Sequence, residues 1–368
     1  MGDYTTRAPS AAAPATAEQT WPSGTMRAAA ILSPHRTGVL VLPIPEPAAE
    51  EVLVAPVLVG LCGTDVELLH GTASYVRDGR ALYPHVFGHE WTGVVTALFE
   101  GTDRTPQSPR LAVGDRVVGQ TMIPCGSCRA CRRGRRNECG RLREVGLYGQ
   151  QGAAAEYIRM SARSLTIVPD GVPDMAALLT EPAVTVLAAF ERARCLPGDR
   201  VLVLGTGTIG LLAVQLAAAL AGTVDVIGVD DSGLEAARRF GADRVFRPGQ
   251  AKADHYDFVV EASGAIEAFH EALRVVGVGG SIAAIGVPTR DADGVPLSDL
   301  VLRGITVHGI RHGLDLYDRV LDLFRHGVLT ADGMVARSFP MEDVSAAFDL
   351  LLASDRTAPK VALDLRSA

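Results

Sequence analysis

The chain has 368 residues, of which 48% are hydrophobic and 21% charged, with a formal net charge of −7. That length is comfortable for two domains, and the composition is that of a globular chain, not a disordered one. The acidic balance argues against a protein that binds nucleic acid as a whole. The apolar runs at 178–190 and 201–221 are broken by Gly, Thr, Pro or charge, so neither is expected to span a membrane.

Residues 1–25 are rich in Ala, Pro, Thr and Ser and carry no apolar signal-peptide core, so they read as a disordered N-terminal extension. From Met26 to Leu61, short apolar runs alternate with Pro-rich turns, the pattern of an irregular β-rich domain. Its last run leads straight to Cys62, and a ligand at a strand end is held rigidly. Residues 62–70 predict a short helix capped by Thr64 or Asp65. Residues 71–87 read as a loop with Tyr75, Arg77, Arg80, Tyr83 and His85; it either sets substrate preference or is simply a solvated surface. After His89 come a strand (WTGVVTALFE), a polar insertion at 100–110, and a second strand (GDRVVGQ).

Cys125, Cys128, Cys131 and Cys139 follow as C-x2-C-x2-C-x7-C. Four thiolates can converge on one tetrahedral zinc and leave no position open, which makes such a site structural. Cys62, His89 and Glu90 form a separate set of soft, borderline and hard ligands, as an open catalytic zinc site requires. C-x2-C spacing without a secretory signal reads as metal binding in a reducing cytoplasm, not as a disulfide framework. Cys195 is expected to be a small buried hydrophobe. The cysteine lobe also carries Arg129, Arg132, Arg133, Arg135, Arg136, Arg141 and Arg143. Those arginines admit a nucleic-acid-binding alternative, but a solvated lobe at a subunit contact suits the acidic chain around it better.

From Val201 onward β-branched runs alternate with helical patterns, the mark of a parallel sheet covered on both faces. Gly205-x-Gly207-x-x-Gly210, with Thr208 and Ile209 inside it, follows a strand and opens a helix. Asp230 stands twenty residues later at the end of the next strand. This is the full context of a dinucleotide-binding turn, with the diphosphate on a helix N-terminus. A carboxylate at the ribose repels a 2′-phosphate, and no Arg follows at 231–234, so NAD is favoured over NADP. Asp231 competes with Asp230 for the ribose.

GLCGTD at 60–65, GHEWTG at 88–93, the four cysteines, Glu181-Pro182 and GTGTIG at 205–210 together resemble the zinc-dependent medium-chain alcohol and polyol dehydrogenases, from about Met26 to the C-terminus. The resemblance implies an α/β fold in which a Rossmann doubly wound parallel sheet is inserted between parts of a β-rich GroES-like catalytic domain. The expected ranges are 26–185 for the zinc domain, 186–309 for the NAD-binding domain and 310–368 for the return to the catalytic domain. It implies Cys62, His89, Glu90 and Glu181 as the ligand set of a catalytic zinc, with the two glutamates completing or exchanging in the shell. It implies two zinc ions per chain, and a homodimer or homotetramer formed through edge strands of the cofactor sheet.

The implied chemistry is hydride transfer between NAD and a secondary alcohol made acidic by the metal. By the same resemblance Thr64 is the first proton relay. Glu67 stands where relatives often have a His, and it either replaces that relay or is an ordinary helix-surface acid. Arg311 returns to the substrate cleft, while His312 either assists or lies at the surface. The absence of a cysteine near Glu181 points to polyols, sugars and related hydroxy compounds. GHEWTG resembles the motif of actinobacterial aminocyclitol dehydrogenases, and the near absence of lysine (Lys252 and Lys360 only) fits a GC-rich genome. Threonine and simple secondary alcohols are the alternative substrates. A zinc-free quinone reductase or cofactor-binding regulator is the other alternative, which Cys62 and His89 contradict.

Overall fold

The computed structural model describes residues 21–46, 48–99, 111–288, 290–354 and 356–367. The polar insertion expected at 100–110 lies outside the described residues, as does most of the extension expected over 1–25. Residues 21–25 belong to the fold: the Trp21 indole donates to the Pro45 carbonyl at 2.8 Å, and the first strand opens at Thr25.

The first half is β-rich. Strands β1 (Thr25–Ser33) and β2 (Arg36–Pro43) form a hairpin, and β3 (Glu51–Leu61) is followed by helices α1 (Gly63–His70) and α2 (Ser74–Arg77). The loop expected over 71–87 therefore contains one helical turn. Strands β4 (Glu90–Leu98), β5 (Arg116–Gly119) and β6 (Met122–Ile123), the short helix α3 (Arg129–Arg132), and strands β7 (Arg143–Val145) to β10 (Leu165–Ile167), with β8 at Gly149–Gln150 and β9 at Ile158–Ser161, complete it. Helices α4 (Asp174–Leu178) and α5 (Thr180–Arg192) lead to the second half.

There the alternation is β11 (Arg200–Leu204), α6 (Thr208–Leu220), β12 (Thr223–Ile227), α7 (Asp231–Arg239), β13 (Arg244–Phe246), β14 (Tyr256–Glu261), α8 (Ile266–Val275), β15 (Val276–Ala284), α9 (Leu297–Arg303) and β16 (Thr306–Gly309). Helix α10 (Tyr317–Arg325), strand β17 (Val335–Phe339), helix α11 (Val344–Leu352) and strand β18 (Lys360–Asp364) close the chain.

The sheet of β11–β16 is parallel throughout, in the order β13-β12-β11-β14-β15-β16. This is the doubly wound dinucleotide-binding order, whose crevice lies beyond the carboxyl ends of the two central strands. The core beneath it also takes in α5 and α10, so packed side chains cross the boundaries expected near residues 185 and 310. In the other sheet β3 is the spine, pairing antiparallel with β4, β9 and β18. β17 joins outside β18, returning the C-terminal segment to the first half.

Register decides where the chemistry falls. Gly60 near the end of β3 pairs with Glu90 at the start of β4, and Leu61 pairs with Val361 at the start of β18. Cys62, His89, Glu90 and Lys360 are thereby brought to one corner where three strand ends meet.

Candidate active site

Cys62 is fixed by its position between β3 and α1. It is the N-cap of α1, and its backbone N–H donates to the Asp65 carboxylate at 2.9 Å. The cap expected at Thr64 or Asp65 is therefore at Cys62. Asp65 sits a turn into the helix and folds back, as a third-position acid does in a capping box. Gly71, at φ 73°, ends the helix in the left-handed conformation.

The Cys62 Sγ lies 3.2 Å from His89 Nε2, and donor atoms of Cys62, His89 and Glu90 all fall within 4.8 Å of one another. On the far side of the imidazole, His89 Nδ1 lies 3.7 Å from Asp65 Oδ1, too long for a hydrogen bond but close enough for its charge to act. Burial alone would lower the His89 pKa; the charges of Cys62 and Asp65 outweigh it and hold it well above its ordinary value. Glu90 Oε2 pairs with Lys360 Nζ at 2.5 Å, and Nζ also donates to the Leu61 carbonyl at 3.2 Å. Gly60 leaves room for this carboxylate, since a Cβ there would stand 2.6 Å from Glu90 Oε2.

Glu181 lies outside the converging three. Its Oε1 is 2.8 Å from the Thr121 hydroxyl and 3.3 Å from His312 Nε2. Burial would raise this carboxyl, but the hydrogen bond and charge of His312 outweigh it, with help from His89 and Thr121, and bring it to about 2. Thr121 Oγ1 is also 3.0 Å from the His89 carbonyl, so one hydroxyl ties Glu181 to the β4 entry. His312, read from sequence as either an assisting or a surface residue, is buried.

Thr64 and Glu67 both lie on α1 and are partly buried. Burial raises the Glu67 carboxyl against the opposing charge of Arg77. Arg311 spans two groups across the chain: Nη1 donates to the Asn137 carbonyl at 3.0 Å and Nη2 to Glu144 Oε1 at 3.1 Å. The Tyr148 hydroxyl donates to the same Glu144 oxygen at 2.8 Å, and Arg80 lies 4.4 Å over the Tyr148 ring.

The four cysteines of the lobe converge as a group. Cys128 Sγ is 3.5 Å from Cys131 and 3.8 Å from Cys139. Thiolates at about 2.3 Å from a tetrahedral zinc stand roughly 3.8 Å apart, so the set is preformed for the ion. Backbone donation at Ser127 leads in bringing the Cys125 thiol down to about 5, and burial pushes Cys131 up to about 12.

At the carboxyl end of β11, Gly205 has φ 110°, and a Cβ on Gly210 would lie 2.0 Å from the Gly205 carbonyl oxygen. The turn is therefore closed on itself, and Gly207 caps α6. Asp230 caps α7, accepting from Gly233 N at 2.6 Å and Ser232 Oγ at 2.8 Å. Burial opposes its ionisation, but these donors prevail and hold it below the usual carboxylate range. Asp231 is turned away and paired with Arg247. A cavity of about 350 Å³ is lined by Thr206, Gly207, Asp230 and, from the opposite wall, Arg356.

Comparison with known proteins agrees with both halves. The alcohol dehydrogenase GroES-like domain family matches residues 48–170, and the zinc-binding dehydrogenase family matches residues 208–326. The L-threonine 3-dehydrogenase of Anaeromyxobacter sp. (strain Fw109-5) is 31% identical, covering 88% of this chain and 94% of that one. The sorbitol dehydrogenase of Bacillus subtilis (strain 168) is 28% identical over 89% of this chain and 94% of its own. An alcohol dehydrogenase of E. coli CFT073, solved with NADH, superposes with TM-score 0.83 at 25% identity, covering 93% of this chain and 99% of that one. The chain belongs to the zinc-dependent medium-chain alcohol dehydrogenases.

Zinc and NAD are thus the cofactors of this dehydrogenase, and its residues fit them. Among the described residues two preformed donor sets suit two zinc ions, one closed by four thiols and one with three converging donors. Zinc at the open set supplies Lewis acidity to a bound alcohol. The protein's own part there is to set the charge of Asp65 beside the imidazole, to balance Glu90 with Lys360, and to keep Glu181 ionised against Thr121 and His312. Sequence reading missed Lys360, Thr121 and Glu144, which touch the predicted site residues Glu90, Glu181 and Arg311. Only Lys360 carried a signal, as one of two lysines in an arginine-rich chain, at the start of the last strand.

Proposed function

We propose that the dehydrogenase transfers hydride between NAD and a secondary alcohol or ketone of a polyol, sugar or (amino)cyclitol. The observation that carries this reading is the corner where Cys62, His89 and Glu90 converge while Glu181 stands just outside it. In this proposal Cys62 and His89 hold the catalytic zinc, and Glu90 and Glu181 exchange as its further ligand. Thr64 and Glu67 carry the proton outward, and Arg311 orients substrate from its seat on Glu144. Gly205, Gly207, Thr208, Ile209, Gly210 and Asp230 hold the cofactor. Catalysis takes place between a catalytic part, residues 26–185 with 310–368, and a cofactor part, residues 186–309.

The polyol reading is supported by the sorbitol dehydrogenase relative and by the absence of a cysteine near Glu181. An aminocyclitol of an antibiotic pathway is the finest form of it. The similarity to L-threonine 3-dehydrogenase favours threonine as a second reading. A cytoplasmic homodimer or homotetramer is part of the proposal. Among the described strands β16 pairs only with β15, and Val278, Val301 and Leu302 nearby are more than two-thirds exposed. No nucleic-acid partner is proposed, since Arg135, Arg136 and Arg141 of the lobe are occupied by Glu138, Asp315 and Cys125.

The test is NADH production against sorbitol, other polyols, aminocyclitols, threonine and 2,3-butanediol. Turnover of hydroxyl-rich substrates well above threonine and butanediol supports the proposal. Preference for threonine moves it to the second reading, and no turnover with any alcohol overturns both.

A further inference from the structure

Tyr75, on the single turn of α2, carries a polar group that nothing in the free protein uses. The residue is 8% exposed, and its hydroxyl is buried without a hydrogen-bond partner. A buried hydroxyl left unpaired is costly, and phenylalanine would fill the same space without that cost. The residue is also fixed in place, since its carbonyl accepts from Arg80 N at 2.8 Å and from Ala81 N at 2.9 Å. An unpaired donor on a fixed backbone has the form of a binding group.

Its surroundings keep the proton on. Burial first, and then the negative charges of Asp65, Cys62, Glu67 and Glu144, raise the pKa of the Tyr75 hydroxyl. Those charges come from two places, α1 with its N-cap at the metal corner and Glu144 on β7. Tyr75 is thus within electrostatic reach of both.

The turn from β7 to β8 is pinned to the same corner. Val145 N donates to the Thr121 carbonyl at 2.9 Å, and the Gly146 carbonyl lies 2.8 Å from His85 Nε2. A Cβ on Gly146 would stand 2.8 Å from the carbonyl oxygen of Gly88, the residue before His89. On this turn the Tyr148 ring lies 5.8 Å from the Tyr75 ring, centroid to centroid. Glu144 is buried, and Tyr148 and Arg311 both donate to its Oε1, at 2.8 and 3.1 Å. Its Oε2 has no hydrogen-bond donor among the described residues. A donor without an acceptor and an acceptor without a donor therefore share one wall beside the metal corner.

We propose that Tyr75 and Glu144 set substrate specificity, the Tyr75 hydroxyl donating to and Glu144 Oε2 accepting from substrate hydroxyls remote from the reacting carbon. The substrate class is then an alcohol with at least one further hydroxyl. A hydroxyl can accept from Tyr75 and donate to Glu144, whereas an ammonium group can only donate and a methylene does neither. A substrate without it leaves both polar groups unpaired, the condition under which a site rejects an analogue most strongly. The inference rests on the polyol reading above, and it places that selectivity on the α2 turn and β7, outside the metal ligands.

The experiment is steady-state kinetics at saturating NAD on the zinc-loaded full chain, for wild type, Tyr75→Phe and Glu144→Gln. Sorbitol is paired with 2-hexanol and myo-inositol with cyclohexanol, so each pair shares a carbon skeleton and differs in hydroxyls. Tyr75→Phe is expected to lower kcat/KM for the hydroxyl-rich member about tenfold more than for the mono-alcohol. Glu144→Gln should shift the ratio the same way but less, because the amide carbonyl still accepts. Tyr75→Phe removes a hydroxyl that bonds to nothing in the free protein, so it should melt no lower than wild type. Equal losses on both members of each pair overturn the inference, and so does no loss on either. So does a Tyr75→Phe melting point more than about 2 °C below wild type, which would make the hydroxyl structural. So does a greater loss with threonine than with sorbitol, which would mean that the pair reads the charged groups of an amino acid. Wild type that oxidises the mono-alcohols but neither hydroxyl-rich compound would instead sink the polyol reading, and the assignment with it.

Discussion

Lys360 Nζ and Glu90 Oε2 stand 2.5 Å apart with both side chains almost wholly buried, one residue along from His89. Each raises the cost of losing the other, because breaking a buried pair by removing one partner leaves an uncompensated charge, at about 3–5 kcal/mol. Metal-free Lys360→Met should therefore melt well below wild type. Zinc offers Glu90 a second counter-charge, so the variant should gain more melting temperature from added zinc than wild type does. Lys360→Met/Glu90→Gln, which removes both charges, should recover most of the loss in the metal-free state. Equal melting of all three proteins would show that the pair is not formed.

The two metal sites should fail differently. Cys62→Ser weakens the open set, so turnover should be abolished while NAD affinity stays within about twofold, since the cofactor turn lies elsewhere. Cys128→Ser opens the closed set and should lose one zinc per chain, with a lower melting temperature. Metal analysis beside NAD titration separates the two outcomes. Turnover by Cys62→Ser at the wild-type rate would remove the metal corner from the reaction.

How much of this was legible in the chain depends on the distance over which each feature is set. The dinucleotide turn and the cysteine lobe are local, with spacing fixed by a single tight loop or one ion, and both stand where the motifs put them. The corner at Cys62 was readable as residue types but not as geometry, because its closure depends on the β3–β4 and β3–β18 registers. Lys360 and Glu90 are 270 residues apart, and His312 and Glu181 are 131 apart, beyond any local pattern. Asp230, which the resemblance favours over Asp231, lines the cavity, while Asp231 pairs with Arg247, a contact no local pattern announces. The α1 cap was misplaced by three residues or less because the usual capping residue types follow the strand end that actually starts the helix.

Acid should erase one specific contribution to stability. Asp257 accepts from the Arg200 backbone N–H at 2.9 Å, from Nε at 2.8 Å and from Nη2 at 2.7 Å. The Arg200 hydrogen bonds lead in holding its carboxyl below the usual value. A folded pKa below the unfolded one gives stability that is complete above the unfolded value, about 3.9, and is lost as pH falls through the folded value. Both side chains are about two-fifths exposed, so solvent screening keeps the contribution to about 1 kcal/mol or less. Asp257→Asn should be less stable than wild type at pH 7, with the gap closing below about pH 4. Denaturant midpoints at the two pH values measure it, and a gap that widens in acid would contradict the pairing.

The glycines of the dinucleotide turn should separate folding from binding. A Cβ on Gly210 would meet the Gly205 carbonyl oxygen at 2.0 Å and its carbon at 2.8 Å, both backbone atoms that cannot move aside. Gly210→Ala should therefore cost stability, about 1–3 kcal/mol as overpacking does, and weaken NAD as a consequence. Gly207 has φ −76° and nothing within 4 Å of its would-be Cβ, so the fold accepts alanine there. Its methyl would instead stand at the α6 entrance, where the diphosphate must approach the backbone closely. Gly207→Ala should melt within about 2 °C of wild type yet bind NAD and ADP about tenfold or more weakly. Melting curves and calorimetry on the two variants decide it: a Gly207→Ala protein that binds NAD like wild type would mean the diphosphate does not lie against this turn.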